Sequence, residues 1–472
     1  MTLNTPDDSD LQTLRELAGG QSREGSDMAS YLLEPRDLFR GQASLVLRPG
    51  STEEVAAIVS YCNERRIGII PYGGGTGLVG GQLSGDDPAP IVLSLERMDQ
   101  IRAVVPEENA MIVEAGVILQ DAQEAADAAN RLFPLSLAAQ GSARIGGNLS
   151  TNAGGVQVLR YGNARDLCLG IEAVMPNGEI LHGLKTLRKD NTGYDLRHLL
   201  TGAEGTLGVI TAAALKLFPK PGEQVTAMLA VPSPAAAVGL LRMMQDWLGD
   251  TVTAFELIKG QGIEFLDKVL PGFTDPLPER PEWRVLTEIS GGGKTGLEHR
   301  TQDALEAAFD AGFVTNGAVA SSEGQRANMW NIREHLPEAN RRVGSVSSHD
   351  ISLPIGQVAG FLERADGVVR NIDSAFRINC FGHMGDGNLH YNVFPPEGRA
   401  HRDYDNLRKT VRQAVHDLVA EMDGSVSAEH GIGRLKTADL VRYGDPTKVA
   451  TMRAIKAALD PNGIMNPGAV LT

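Results

Sequence analysis

Three glycine-rich stretches in the first half of the chain constrain its fold most. Residues 71–77 read PYGGGTG, residues 141–155 read GSARIGGNLSTNAGG, and residues 202–211 read GAEGTLGVIT. Their small residues permit close backbone approach and offer N–H or hydroxyl donors. One such stretch could be a mobile surface turn. Three within one domain predict a long ligand that lies along exposed backbone, with N–H groups binding its phosphates.

The first stretch also matches part of the dinucleotide-binding fingerprint. Gly75, Gly77 and Gly80 have the G-x-G-x-x-G spacing, and Glu96 follows a later apolar run. That fingerprint must open a helix whose N-terminus holds a pyrophosphate. Here the chain continues GGQLSGDDPAP, whose glycines, aspartates and prolines cannot propagate a helix. No Lys-Ser or Lys-Thr pair follows, so a P-loop is excluded, and NAD is disfavoured as the cofactor.

Composition and charge exclude several classes of function. The chain has 472 residues, of which 42% are hydrophobic and 22% charged, as in soluble proteins of two or three domains. A net charge of −15 argues against a nucleic-acid groove, and means that an anionic substrate needs a locally positive site. No apolar run is long enough to span a membrane, and the polar, acidic start does not resemble a secretory signal. We therefore expect a cytoplasmic protein.

Cysteine usage agrees with a reducing compartment. Cys62, Cys168 and Cys380 are scattered without metal-binding or redox spacing, so we expect buried thiols.

Local patterns divide the chain into four segments. Residues 1–38 predict a helix and a linker, 39–219 a first α/β domain, 220–440 a mixed α/β domain with one antiparallel sheet, and 441–472 a C-terminal segment that packs on another part of the chain. In the first domain, Ser51 predicts a helix N-cap. Asn177-Gly178 predicts a β-hairpin.

A second group of chemically capable residues lies at Cys380–Phe394, CFGHMGDGNLHYNVF. Asp386-Gly387 favours a two-residue hairpin turn, which would place His383 directly opposite His390. Asn388 and Asn392 would share their face, and the intervening Leu389, Tyr391 and Val393 would point into the core. Two histidines in this arrangement suit a divalent metal.

Other polar residues of the second domain are assigned by their surroundings. A third metal ligand could come from SAEHGIG, residues 427–433, where Glu429 and His430 are neighbours that would point apart on an extended chain. A structural or incidental origin of the two-histidine hairpin remains the alternative. We expect His416, on an amphipathic helix, to be solvated, and Asp386 to form a turn; His349 is undecided.

The three glycine stretches, in this order, resemble the FAD-binding domain of the vanillyl-alcohol-oxidase/PCMH superfamily over residues 40–220. The resemblance implies an α+β fold, a PCMH-type FAD-binding domain of two α/β subdomains followed by a mixed α/β substrate (cap) domain with an antiparallel sheet. It also implies that the first stretch holds the FAD pyrophosphate, and that the others line the ribityl chain, flavin and adenine. Covalently tethering members use a histidine near these loops; none is there, so we expect non-covalent FAD. The cofactor-binding residues implied are Pro71, Gly73, Gly74, Gly75, Thr76, Gly77, Gly141, Ser142, Gly146, Gly147, Asn148, Thr151, Asn152, Gly154, Gly155, Glu204, Gly205, Gly208, Ile210 and the C-terminal Asn466.

The pattern G-H-x-G-D-G-N-L-H-x-N with S-x-E-H-G-I-G resembles FAD-dependent D-2-hydroxy acid dehydrogenases over nearly the whole chain. In that family the metal is zinc, and the matching ligands are His383, His390 and Glu429. The residue matching His430 is the base, and those matching Asn392 and Arg333 contact the substrate.

One departure from the family pattern bears on the substrate. D-2-hydroxyglutarate dehydrogenases add a threonine and a lysine around the distal carboxylate, where this chain has Pro337 and Ser348. Neither residue supplies a cation, which weakens the case for 2-hydroxyglutarate.

The chemistry explains why a metal is expected. Oxidation of a 2-hydroxy acid removes a hydride from C2, which flavin N5 accepts, and a hydroxyl proton. Water, with a pKa of ~15.7, stands in here for the alcohol. A histidine with a pKa of about 6.5 is then about nine pKa units too weak a base, which makes the proton transfer unfavourable by roughly 12 kcal/mol. Zinc lowers the pKa of a bound water to ~7, and a zinc ion with three protein ligands leaves coordination positions open for the substrate. The sequence therefore predicts a zinc-assisted dehydrogenase with His430 as the base and Arg333 as a local positive charge.

Other functions and partners stay open at this point. The alternatives are a metal-independent flavoprotein that oxidises a sugar or alcohol, a flavin-carrying subunit of a larger complex, and a non-enzymatic metal-binding module. By resemblance, the electron acceptor is an electron-transfer flavoprotein or a quinone, and no stretch identifies which. A homodimer is the assembly considered.

Overall fold

The computed structural model describes residues 2–36, 39–85 and 88–471. The sequence boundary predicted at residue 38 lies outside these residues. The described chain forms two compact units. Unit 1 contains residues 1–154, 162–220 and 429–472, and unit 2 contains residues 155–161 and 221–428. No helix in the described ranges has both the length and the apolar composition needed to cross a bilayer.

Strands are numbered in chain order over both units. They are β1 Ser22–Arg23, β2 Leu45–Leu47, β3 Ile69–Tyr72, β4 Ile91–Ser94, β5 Ile101–Val105, β6 Ala110–Glu114, β7 Arg131–Leu132, β8 Cys168–Val174, β9 Ile180–Gly183, β10 Val209–Lys216, β11 Phe218–Pro219, β12 Glu223–Val231, β13 Val252–Lys259, β14 Trp283–Gly291, β15 Asn316–Val319, β16 Ser347–Ser352, β17 Arg377–His383 and β18 Asn388–Phe394.

Helices are numbered in the same way. They are α1 Asp8–Leu17, α2 Thr52–Arg65, α3 Leu119–Ala128, α4 Ile145–Ser150, α5 Val158–Tyr161, α6 Ala164–Leu167, α7 Leu196–Leu200, α8 Pro234–Leu248, α9 Gly260–Val269, α10 Leu297–Asp310, α11 Glu323–Val343, α12 Val358–Ile372, α13 Asp405–Glu421, α14 Thr437–Tyr443 and α15 Pro446–Leu459. Short 3₁₀ turns cover Gly25–Tyr31, Gly249–Thr251, Ile355–Gln357 and His401–Tyr404.

Unit 1 contains two principal sheets. The first has the order β1-β2-β4-β3, with β2, β4 and β3 parallel, and the second is antiparallel with the order β5-β6-β10-β8-β9. Helix α2 begins after Ser51, whose side chain accepts a hydrogen bond from the Glu54 amide, so the predicted N-cap is confirmed. The apolar face of α2, including Ile58 and Val59, packs into the core of the parallel sheet. The hairpin predicted at Asn177-Gly178 joins β8 to β9.

The C-terminal segment of unit 1 returns to the parallel sheet. Met465 forms a parallel bridge with Ile69 of β3, the strand that leads into the first glycine loop. The Lys456 amino group on α15 donates to the carbonyl oxygens of Thr206 and Met465, at 2.8 and 2.7 Å. The end of the chain is thus fixed beside two of the glycine loops.

Unit 2 is built on a seven-stranded sheet with the order β15-β12-β14-β13-β17-β18-β16. Every pairing in this sheet is antiparallel, as predicted for the second domain. Helices α9 and α11 cover one face, where Ile263, Leu266, Ile332 and Leu336 share a core with Phe381. This face also carries His383 and His390, two of the three predicted metal ligands.

Candidate active site

The glycine stretches of unit 1 meet around one pocket. Strand β3 runs directly into the first stretch, α4 carries part of the second, and the third precedes β10. Fourteen of the implied cofactor residues line the pocket: Pro71, Gly73, Gly74, Gly75, Thr76, Gly77, Gly146, Gly147, Asn148, Thr151, Glu204, Gly205, Gly208 and Ile210. A long ligand with phosphates suits such a cradle of exposed N–H groups.

Glycine is required here because backbones come into contact. A Cβ on Gly74 would lie 2.1 Å from the Ser142 carbonyl oxygen, and one on Gly73 would lie 3.3 Å from Gly147 Cα. Gly205 has φ +70°, and its Cβ would lie 2.9 Å from Pro71 Cγ. The three loops can therefore pack on one another only without side chains at these positions.

We expect Gly74→Ala to lower FAD occupancy sharply and to reduce the free energy of unfolding by about 1–3 kcal/mol. The reason is that the added methyl group would overlap the Ser142 backbone, which cannot move aside as a flexible side chain can. Flavin absorbance per chain and the thermal midpoint measure both effects. Gly292→Ala is the matched control, since a Cβ there has no neighbour within 4 Å. Full FAD occupancy in Gly74→Ala would contradict the assigned packing.

Six implied cofactor residues do not line the pocket: Gly141, Ser142, Asn152, Gly154, Gly155 and Asn466. Two of them make contacts that hold loops in place. Asn152 accepts a hydrogen bond from the Arg165 amide at 2.9 Å, and Asn466 donates to the carbonyl oxygens of Gly81 and Glu204 at 2.9 and 2.7 Å. Asn466 therefore connects the segment that follows the first glycine stretch to the third stretch.

Several lining residues were not among the implied cofactor residues. They include Tyr72, Gln82 and Arg144. The Gln82 side chain donates to the Gly77 carbonyl oxygen at 2.8 Å, and Arg144 donates to the Gly116 carbonyl oxygen. Tyr72 and Arg144 lie within the first and second glycine stretches and Gln82 follows the first, and this position is their only sequence signal.

His430, the predicted base, also lines this pocket. The chain after it is held by Glu204, whose two carboxylate oxygens accept hydrogen bonds from the Ile432 and Gly433 amides at 2.8 and 2.7 Å. Burial raises the pKa of Glu204, and these two amides oppose the rise. Glu204 thus fixes the backbone beside His430 to the third glycine stretch.

The histidine hairpin of unit 2 has a different register from the predicted one. His390 lies opposite Phe381, and four residues, Met384–Gly387, separate β17 from β18, so the direct pairing of His383 with His390 was wrong. Gly387 has φ +83°, and its amide donates to the Met384 carbonyl oxygen. The longer turn displaces the register by two residues, which leaves both histidines on the same face because side chains alternate with period two.

The two imidazoles remain neighbours on that face. Their ring centroids are 5.7 Å apart and the rings are nearly perpendicular. Asn388 and Asn392 are buried on the same face, while Leu389, Tyr391 and Val393 point to the opposite side and are fully buried, as expected. Asp386 accepts from the Asn388 amide in the turn.

Glu256 of β13 lies directly opposite His383 and is completely buried. One of its carboxylate oxygens is 2.6 Å from His383 Nδ1, and the other accepts from Arg333 Nε at 2.6 Å. Burial alone would raise the pKa of Glu256, but His383 and Arg333 lower it to about 2. No motif in the sequence indicated this carboxylate.

Arg333 reaches this carboxylate from α11. Its guanidinium also lies over the Phe381 ring, 4.8 Å from the centroid, and the residue is 5% exposed. We predicted from the sequence that Arg333 provides a local positive charge. In the structure this charge is paired with Glu256. The bond to Glu256 uses Nε, one of five N–H donors of the guanidinium.

Asp350 of β16 lies opposite His390 in the sheet. Its carboxylate accepts from the Asn388 amide group at 3.0 Å and approaches His390 Nδ1 to 4.0 Å. Its carbonyl oxygen accepts from the Ala428 amide at 3.3 Å. Glu429 follows Ala428 by one peptide bond, and begins the C-terminal segment of unit 1.

Two further expectations concern residues away from these contacts. His416 was expected to be solvated, but it is 3% exposed and packs edge-on against His349, with centroids 5.1 Å apart, so that expectation was wrong. His416 belongs to the buried face of α13, together with Val415 and Val419. Cys62, Cys168 and Cys380 are buried thiols, as expected, and burial raises the pKa of Cys168 to about 12.

Known family models match both halves of the chain. The family described as "FAD linked oxidases, C-terminal domain" matches residues 220–470, and "FAD binding domain" matches residues 43–183. The mitochondrial D-2-hydroxyglutarate dehydrogenase of Danio rerio is 37% identical over 464 residues, which cover 97% of this chain and 84% of the relative. The chain belongs to the FAD-dependent D-2-hydroxy acid dehydrogenase family. It is therefore an FAD-containing oxidoreductase that acts on CH–OH groups, and the predicted FAD cofactor is confirmed.

A bacterial member of this dehydrogenase family is similar over a comparable length. The D-2-hydroxyglutarate dehydrogenase of Xanthomonas citri pv. viticola is 35% identical over 420 residues, which cover 89% of this chain and 87% of the relative.

Solved structures confirm the fold class. The dehydrogenase superposes on p-cresol methylhydroxylase with bound substrate at a TM-score of 0.74 and 17% identity, over 98% of this chain and 96% of that one. The 4-ethylphenol oxidase of Gulosibacter chungangensis gives a TM-score of 0.72 at 18% identity, over 100% and 99% of the two chains. These likenesses establish the PCMH-type architecture predicted from the glycine stretches.

Proposed function

We propose that this dehydrogenase oxidises a D-2-hydroxy acid to the 2-oxo acid with the help of zinc held by His383, His390 and Glu429. The observation that carries the proposal is the pair of neighbouring imidazoles on β17 and β18, one of which is bound to a buried carboxylate. Two neutral imidazoles and a carboxylate are a donor set that zinc accepts, and they leave a position for substrate. Glu429 is proposed as the third ligand because its chain neighbour Ala428 donates a hydrogen bond to Asp350, which lies opposite His390 in the sheet.

Each remaining residue has an assigned part. His430 accepts the hydroxyl proton, Arg333 binds the substrate carboxylate through its terminal amino groups, and Asn392 contacts the substrate from β18. Bound zinc would lower the pKa of the substrate hydroxyl toward the range of an imidazole base. Bound FAD supplies the acceptor for the C2 hydride. The fourteen implied cofactor residues that line the pocket, together with the loop contacts of Asn466, would hold the FAD.

A panel of substrates tests the proposal. Under anaerobic conditions we expect D-lactate, D-malate, D-2-hydroxyglutarate or a larger D-2-hydroxy acid to bleach the flavin, and the L-enantiomers to leave it oxidised. Glycolate serves as the substrate without a stereocentre. Bleaching by sugars or simple alcohols but by no 2-hydroxy acid would favour the metal-independent oxidase instead.

We propose that two positions, one on α11 and one on β16, bear on the identity of the acid. The names of the relatives make D-2-hydroxyglutarate the first acid to test. Pro337 lies one helical turn after Arg333 in α11, and Ser348 of β16 lies opposite Asn392, on the face that also carries His390. Neither side chain is cationic, so we propose that a distal carboxylate is bound weakly.

Ser348→Lys should raise kcat/KM for D-2-hydroxyglutarate about 10-fold or more, because a charge-assisted hydrogen bond contributes roughly 1.5–3 kcal/mol. The value for D-lactate should change little, since lactate has no second carboxylate. Ser374→Lys adds the same charge at an exposed turn and is the control. An unchanged preference between the two acids in Ser348→Lys would show that the distal group lies elsewhere.

The electron acceptor, the assembly and the compartment are separate proposals. We propose an electron-transfer flavoprotein or a quinone as the acceptor, a homodimer as the assembly, and the cytoplasm as the compartment. Reoxidation of the reduced enzyme by each acceptor, mass measurement in solution and cell fractionation test these three points separately.

A further inference from the structure

Glu256 has a placement that packing does not explain. It is a carboxylate with no exposed surface, on a face of the sheet otherwise filled by residues such as Leu286 and Phe381. A buried charge is costly unless it is paired and hydrogen-bonded. Both of its oxygens are used, one by His383 and one by Arg333, so the carboxylate is compensated on two sides.

The sheet register dictates the contact with His383. Glu256 and His383 are direct partners across β13 and β17, which brings their side chains to the same face. Arg333 enters from α11 above that face, and its cation balances the carboxylate. The position of Glu256 is thus set by backbone pairing rather than by a flexible loop.

The hydrogen bond determines which imidazole nitrogen can bind a metal. Glu256 forms an ion pair with Arg333, and a carboxylate in such a pair has only acceptor atoms, so His383 Nδ1 is the donor to its other oxygen. In the neutral imidazole the lone pair is then on Nε2, which is the arrangement of a metal ligand held by an acceptor on its other nitrogen.

We propose that Glu256 is a positioning residue, which fixes the tautomer and direction of His383 for a divalent cation while Arg333 balances its charge. This inference rests on the proposed zinc site and adds a residue to it. Its expected consequence is a difference in zinc affinity that can be measured without substrate.

Glu256→Gln should weaken zinc binding about 10–100-fold, because the amide is a poorer acceptor and presents an N–H₂ group to one of two donors. Zinc affinity is measured on metal-stripped, FAD-containing protein by competition with a coloured chelator. Glu288→Gln is the matched control: Glu288 is also buried in this sheet, but it accepts from Arg326 and Trp330. We expect Glu288→Gln to bind zinc within about threefold of the original protein.

A second variant controls for the possibility that Glu256→Gln weakens zinc binding only by destabilising the fold. Glu256→Gln leaves Arg333 without its counter-charge, so Glu256→Gln/Arg333→Met removes both charges together. We expect this double variant to retain FAD and its thermal midpoint more fully, yet to keep a zinc affinity at least about tenfold weaker than that of the original protein. Zinc affinity equal to the original in the double variant would overturn the role of Glu256.

The outcomes separate this inference from the proposal beneath it. If the original protein fails to bind about one zinc per chain, the zinc proposal itself is wrong. If the original protein binds zinc and both Glu256 variants bind it equally well, only the role of Glu256 is wrong.

Discussion

His430→Asn should lower the rate of flavin reduction by a D-2-hydroxy acid about 10²–10⁴-fold, while FAD remains bound. His430 lines the same pocket as the glycine loops, and the chain next to it is fixed by Glu204. Asparagine keeps the polarity and approximate size of the side chain but cannot take up a proton. Stopped-flow absorbance under anaerobic conditions measures the single reductive half-reaction, and the flavin spectrum before mixing reports FAD occupancy.

His182→Asn is the control for this experiment, because His182 is exposed on β9, away from the pocket lining. It should reduce its flavin at the original rate. A His430→Asn protein that is reduced as fast as the original would remove His430 from the chemistry. An equal loss of FAD and activity would instead indicate a structural role for this residue.

His390→Ala is expected to have an effect of similar size through the metal. The variant should purify with little zinc, and its flavin should be reduced at least about 10³-fold more slowly, because a neutral alcohol is about nine pKa units too weak an acid for an unaided imidazole. Closing even a third of that gap corresponds to a factor of about 10³ in an equilibrium constant. Metal analysis and stopped-flow reduction on the same preparation measure the two losses together.

The matched variant for this prediction is His299→Ala, since His299 is an exposed histidine of the same unit. We expect it to retain metal and rate. Chelation of the original protein should reproduce the His390→Ala rate, and added zinc should restore the original protein but not the variant. A His390→Ala protein that lacks metal and yet reduces its flavin at the original rate would contradict zinc assistance.

The glycine stretches could be interpreted from sequence because their physics is local. Gly74 and Gly205 lie where any side chain would meet backbone or Pro71, and such positions are visible in the sequence as clusters of small residues. The fold class and FAD followed from them. The separate loop-holding contacts of Asn152 and Asn466 could not be distinguished from ligand contacts, because both uses need the same small polar side chains.

The histidine hairpin shows where local rules stop. Asp386-Gly387 is a strong signal for a two-residue turn, but Met384 and Gly385 also join the turn, and the register moves by two residues. The face of each histidine was nevertheless correct, since an even displacement does not change it. Turn length depends on neighbouring strands, and in particular on the Gly385 amide, which donates to the Phe255 carbonyl oxygen of β13.

Glu256 lay beyond the reach of sequence patterns. It precedes His383 by 127 positions, and the two meet only because β13 and β17 are neighbours in the sheet. An isolated glutamate in the strand VTAFELIK has the appearance of an exposed position in an alternating pattern. Only the strand order reveals that its face is covered by α9 and α11.

Anaerobic single-turnover reduction of one FAD-loaded preparation, with zinc and after chelation, tests the central claim most directly. We predict rapid bleaching of the flavin by a D-2-hydroxy acid with about one zinc per chain, little bleaching after chelation, and recovery when zinc is returned. Equal bleaching rates with and without the metal would contradict the claim that zinc and His430 together remove the hydroxyl proton.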